Sequence, residues 1–151
     1  MAFGHLSHGK SPLEVPVVTG PDSTIVEFTA GGVIVAGDVL ALDLTQTGAA
    51  QAQVVIQATT ANAAAIGVAL EAITAAEATA GASVRVCIAG YVEGVNATGG
   101  AALAQGNPVI MSAATAGCVD INTAASITPV LGVALDAEAA NAVTLYLFRQ
   151  L

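Results

Sequence analysis

The stretch Ile66-Gly67-Val68-Ala69-Leu70-Glu71-Ala72 returns later in the chain as Leu131-Gly132-Val133-Ala134-Leu135-Asp136-Ala137. Both copies run in the same order: an aliphatic residue, Gly-Val-Ala-Leu, a carboxylate, then alanine. Upstream of each stands a glycine turn signal, Gly37-Asp38-Val39-Leu40 and Gly106-Asn107-Pro108-Val109. Downstream of each stands an alternating strand pattern, Val84-Arg85-Val86-Cys87-Ile88 and Val143-Thr144-Leu145-Tyr146-Leu147. The turn signals are 69 residues apart (106 minus 37) and the central glycines 65 apart (132 minus 67). Preserved order with a small change in length marks an internal duplication, so one supersecondary unit has to account for most of the fold.

The elements of that unit follow from propensity and turn chemistry. In the first copy Val39–Leu44 reads as a strand, Thr45–Gly48 as a turn and Gln51–Gln57 as a second strand. Thr59–Ala65 connects these to the motif at Gly67–Thr74, and Ala75–Ala82 turns the chain into Ser83–Ala89. The second copy runs Pro108–Ser112, a turn at Ala114–Gly117, Cys118–Asn122, a connection through Pro129, then Val130–Ala137 and Ala142–Phe148. The last two are joined by Glu138-Ala139-Ala140-Asn141 alone, too short a link for anything but a hairpin. Alanine is the best helix former, so Ala61–Ala80 has a helical reading too. Gly67 and Gly81 interrupt it, no i,i+4 charge pairs support it, and the compact second copy argues for a hairpin with a longer tip, leaving room for a short helical turn near Ala75–Ala80. Ahead of the units, Thr24–Thr29 alternates as a strand, Gly31-Gly32 breaks it and Val33–Val35 follows. Between them Gly90–Val95 reads as a separate short strand and Asn96–Gly100 as a loop. Two four-stranded meanders with leading strands make about ten strands at the spacing of an all-β protein, a β-barrel or β-sandwich. The expectation is one β-domain over 23–151, with repeat units at about 37–89 and 106–148.

Residues 1–22 have another texture, with both histidines, the one lysine and Pro12, Pro16 and Pro21. Proline removes amide donors and fixes φ, so this stretch is expected to be an extended arm, with Leu13–Val18 able to pair as an edge strand. Phe3, Leu6, Leu13, Val15, Val17 and Val18 are apolar side chains that a lone arm cannot bury, which makes them candidate contacts with a partner or a neighbouring subunit. His5 and His8 are flanked by Gly4 and Gly9 and lack a further ligand, so no metal site is expected there.

Composition narrows the function. The 151 residues are 55% hydrophobic, 3% aromatic and only 9% charged, which leaves a surface of small and uncharged side chains suited to contact with copies or partners. A net charge of −8 speaks against nucleic acid and against an anionic membrane surface. No apolar run reaches the roughly 18–20 residues of a spanning helix, and Met1–Lys10 lacks the pattern of a signal peptide, so a cytoplasmic origin is expected. Cys87 and Cys118 have no nearby ligand or base and read as buried thiols. The carboxylates stand singly at turns: Asp38, Glu77 and Glu138, with Glu71 and Asp136 at matching repeat positions as hydrogen-bond acceptors. Arg85, inside a strand, is expected to pair with a carboxylate of its own chain or of a neighbour. No nucleophile, base or metal cluster with an orienting partner emerges, so neither catalysis nor a cofactor is expected.

Together, Ala36-Gly37-Asp38-Val39, Ile66-Gly67-Val68-Ala69-Leu70, Gly81-Ala82-Ser83-Val84-Arg85-Val86 and Gly90-Tyr91-Val92-Glu93-Gly94-Val95 resemble the small capsid decoration proteins of tailed bacteriophages, also called cement proteins. The resemblance covers about Val15–Phe148, including Gly106–Val109 and the second Leu-Gly-Val-Ala-Leu. It implies a β-rich fold, a homotrimer on the outer surface of the virion capsid, the major capsid protein as partner, synthesis in the host cytoplasm and no catalysis. The alternative from another class is a small-molecule or glycan-binding β-barrel. Such a site would concentrate aromatic and polar groups, whereas Phe3, Phe28, Tyr91, Tyr146 and Phe148 are scattered along the chain.

Overall fold

A computed structural model of the chain describes residues 17–59, 65–98, 102–122 and 129–148. In chain order the elements are β1 (Val18–Thr19), β2 (Thr24–Ala30), β3 (Val39–Leu42), a 3-10 turn (Gly48–Ala52), β4 (Val54–Gln57), β5 (Ala65–Ala69), α1 (Ala75–Thr79), β6 (Ser83–Asn96), β7 (Pro108–Met111), β8 (Val119–Ile121), β9 (Val130–Ala134) and β10 (Ala142–Leu147). The all-β expectation holds: the fold is ten strands that include a closed five-stranded barrel. That barrel runs β2-β4-β3-β5-β6 and back to β2, closed by a parallel β2–β4 seam at Thr29↔Val54 and Ala30↔Val55. The second barrel runs β6-β10-β9-β7-β8 and closes more thinly, through the parallel bridge Ala97↔Val119.

The duplication is legible in the hydrogen bonds. Gly37 N donates to Ala69 O at 2.9 Å, and Gly106 N to Ala134 O at 2.8 Å. Ala58 N donates to Val39 O, and Asn122 N to Pro108 O, both at 2.9 Å. Ile73 N reaches Ile34 O at 2.8 Å where Glu138 N reaches Leu103 O at 3.0 Å. At the seams Gly31 N donates to Val55 O at 2.8 Å and Thr98 N to Val119 O at 3.1 Å. Each repeat therefore includes a leading strand ahead of the four expected: β2 for the first barrel, and the far half of β6 for the second.

Here the structure corrects the sequence reading. Ser83–Ala89 and Gly90–Val95 are one strand, not two, because two glycine bulges bend it without ending it. Gly90 and Gly94 take φ of +91° and +74°, a region open to glycine at little cost. The pairing slips beside each, between Thr24 and Ile25 on β2 and between Val143 and Leu145 on β10. Val84, Val86 and Ile88 of β6 thus fill the first barrel and Val92 and Val95 the second.

The units are also not simple meanders. In each the first strand lies between the second and third, β4-β3-β5-β6 and β8-β7-β9-β10. The links at 58–64 and 122–129 are long enough to cross a strand about 4.8 Å wide, which a two-residue turn is not. Other elements shift locally. β4 begins at Val54, behind the 3-10 turn, and Val33–Val35 makes only the bridge Ile34↔Ile73. The 75–82 tip holds a five-residue helix capped by Thr74, whose Oγ1 accepts from Glu77 N while Glu77 Oε2 accepts from Thr74 N at 2.8 Å.

Alternation along the strands sorts the core into two clusters. Phe28, Ile34, Leu40, Val55, Ile66, Val84, Val86 and Ile88 fill the first barrel. The second cluster joins the interior of the second barrel, including Val92, Val109, Val119 and Leu145, to Val39, Ala41, Val68 and Cys87. Those four alternate along their strands with residues of the first barrel's interior, so the second barrel covers the first barrel's outer face.

Candidate interaction surface

The two barrels lock at Asp38, a residue only 3% exposed. Its Oδ2 accepts from Val35 N at 2.7 Å and Gln57 Nε2 at 2.6 Å, both of the first barrel. Its Oδ1 accepts from Asn96 Nδ2 at 2.9 Å, at the end of β6. Gly117 of the second barrel presses on the same carboxylate, because a Cβ there would lie 2.6 Å from Asp38 Oδ1. Gly117 O accepts from Val39 N at 2.7 Å and its N donates to Ala58 O at 3.0 Å. Burial pushes the Asp38 carboxyl above its ordinary range, against the three hydrogen bonds that favour the anion. Asn107, the repeat counterpart, keeps only the local part of this role, accepting from Ala104 N at 2.8 Å.

Two further carboxylates, at matching repeat positions, hold backbone. Glu71 Oε1 accepts from Arg85 N at 2.9 Å and Arg85 Nε at 3.3 Å, so this ion pair lies within the chain. Asp136 does the same for Thr144, at 2.8 Å to N and 2.6 Å to Oγ1. These equivalent contacts match the acceptor role read from the sequence. Cys87 is buried and Cys118 only half-buried; both are free thiols, raised in pKa by burial. Among the described residues no group of three His, Cys, Asp or Glu is placed to hold a metal ion, and no helix is long and apolar enough to cross a membrane.

Of the six arm residues singled out, Phe3, Leu6, Leu13 and Val15 lie outside the described residues. Val17 is half-buried against the second cluster, and Val18 is 43% exposed, paired with Glu93. The structure also brings together what the sequence left apart. Tyr91 and Tyr146 are direct cross-strand partners, in a row that continues through Val133 to Pro108 on the outer face of the second barrel. The duplication held the clue, since each tyrosine lies in a strand that pairs in the second barrel as its counterpart does in the first.

Fold and surface define the class: two tandem five-stranded β-barrels sharing one strand, with the buried Asp38 carboxylate committed to their junction and a tyrosine-bearing outer face on the second barrel. Similar to this chain in fold is the solved N base of head fiber gp8.5 in bacteriophage phi29, at 18% sequence identity and a TM-score of 0.55. The alignment covers 83% of this chain and 96% of that one. No family model matches the chain, and no curated protein matches it in sequence.

Proposed function

We propose that this chain is a structural protein of a bacteriophage head, which binds the outer surface of the capsid as a homotrimer and bridges neighbouring major capsid subunits. The observation that carries this reading is the fold likeness to the head fiber base, which spans nearly all of that chain. The resemblance to decoration proteins points the same way. A shell under internal pressure gains from clips that add many small contacts at repeated positions, and that role needs no catalysis. Asp38 is spent on the barrel junction, and Glu71 and Asp136 on holding backbone within the chain.

In this reading the arm is a docking element. Phe3, Leu6, Leu13 and Val15 bury against capsid, and each full burial contributes roughly 1.5–3 kcal/mol before ordering costs. An extended segment of this kind can also add a strand to a partner's sheet edge. Deleting residues 2–12 is expected to leave a folded protein whose binding to expanded heads, read by co-sedimentation, is much weakened. Unchanged binding by the truncated protein would move the contact to the barrels.

A further inference from the structure

The duplication allows one face to be compared in two settings. In the first barrel the row Val39, Val68, Cys87 crosses β3, β5 and β6, and all three are buried to 1% exposure or less. Its cover is the second barrel, chiefly the β7–β8 tip around Gly117. The counterpart row in the second barrel is Pro108, Val133, Tyr146, and it ends on Tyr91. Among the described residues it is not buried: Pro108 is exposed, Tyr146 is 41% exposed, and Val133 and Tyr91 are half-exposed, with Tyr91 lying against Gly20 and bonded through its hydroxyl to Glu93. The stack of barrels thus ends on an apolar, tyrosine-bearing version of a surface that the same chain buries one repeat earlier.

We propose that this face is docked by the first barrel of a second copy of the chain, through its β3–β4 tip, Asp43–Gln53. That tip is the repeat counterpart of the β7–β8 tip that covers the first barrel. Asp43 N donates to Val54 O at 2.9 Å as Ser112 N does to Cys118 O at 2.8 Å. The tip is longer than its counterpart by the 3-10 turn and carries Leu44, 53% exposed. Its single carboxylate, Asp43, is turned inward and bonded to Thr45 and Gln46. In a chain of net charge −8, a tip that turns its one carboxylate inward keeps down the repulsion from Glu93 and Asp136, which stand beside Tyr91 on the free face. The free face is also complete before docking. Val39 donates its N–H to Gly117 O in the covered version, whereas Pro108 at that position has no N–H to leave unpaired. A contact between two different surfaces is heterologous, and it closes into a ring when the rotation between copies allows.

The inference stands apart from head binding and is tested on the full-length chain alone by sedimentation equilibrium. The wild type is expected to associate with concentration, and Tyr146→Glu and Leu44→Glu each to weaken association about thirtyfold or more, as loss of an interface anchor does. Tyr146→Phe keeps the apolar ring and should associate as the wild type does. Because the surfaces differ, an equal mixture of the two glutamate variants should recover one intact junction and stop at dimers. Circular dichroism checks folding, and if either glutamate variant fails to fold, serine at the same position gives the same reading. A wild type that stays monomeric, a Tyr146→Glu or Leu44→Glu variant that associates normally, or a mixture that forms no dimers would overturn the proposal.

Discussion

Replacing Gly67 or Gly132 with alanine is expected to cost about 3 kcal/mol of folding stability, the upper part of the range for overpacking a filled interior. A Cβ at Gly67 would lie 2.2 Å from Cys87 O, and one at Gly132 would lie 2.2 Å from Tyr146 O. Both obstacles are backbone, on the strand across from the motif, so relief requires separating β5 from β6 or β9 from β10. Both pairs carry barrel closure and are flanked by fully buried side chains such as Val86 and Leu145. This is why the repeated motif has glycine at its second position: the two barrels bring the same strands together at the same point. Gly32, where an added Cβ meets nothing within 4 Å, is the control and should accept alanine within about 0.5 kcal/mol. Urea unfolding of the three variants reads the difference directly, and near-neutral alanine at either motif glycine would contradict the close approach.

The second large effect is expected at Asp38. Alanine there strands the Val35, Gln57 and Asn96 donors at the junction and is expected to cost about 3 kcal/mol. Asparagine should cost less, because Asn107 shows that an amide serves the local turn. The pH dependence has a definite sign. Burial raises the folded carboxyl above its ordinary 3.8, so the folded state binds this proton more tightly than the unfolded chain does. This contribution to stability is fully present below the unfolded value and lost as pH rises through the higher folded one. The stability of the wild type relative to Asp38→Asn is therefore expected to grow on acidification across that window, measured by urea unfolding at a series of pH values. A gap that stayed flat or shrank on acidification would show that the carboxyl is not desolvated at the junction.

How much of this was legible in the sequence depends on whether the signal was local. The repeated Gly-Val-Ala-Leu motif, the turn glycines and the short link at Glu138–Asn141 are local, and they announced an all-β fold built twice. The helix at Ala75–Thr79 falls where the longer hairpin tip left room for a short helical turn, and Thr74 and Glu77 are spaced as its capping box. The path of β6 was not, because Gly90 and Gly94 read equally as strand ends or as bulges until the partner strands are known. Strand order was beyond reach for the same reason, since crossing over β3 or β7 depends on contacts distant in sequence. Among the candidate site residues, the acceptor roles of Glu71 and Asp136 followed from the repeat. Asp38 read as an ordinary turn residue, because its partners Gln57 and Asn96 come from β4 and from the far end of β6. The pairing of Tyr91 with Tyr146 likewise needed the register of β6 against β10.

The central claim is that this chain is part of a phage head, on its outer surface. Cryo-electron microscopy of purified particles carrying the protein tests it most directly. The account predicts density for two stacked barrels per chain on the outside of the shell, in three copies around a common axis and touching more than one major capsid subunit. Particles whose outer surface lacks this density while the protein remains in the soluble fraction would contradict it.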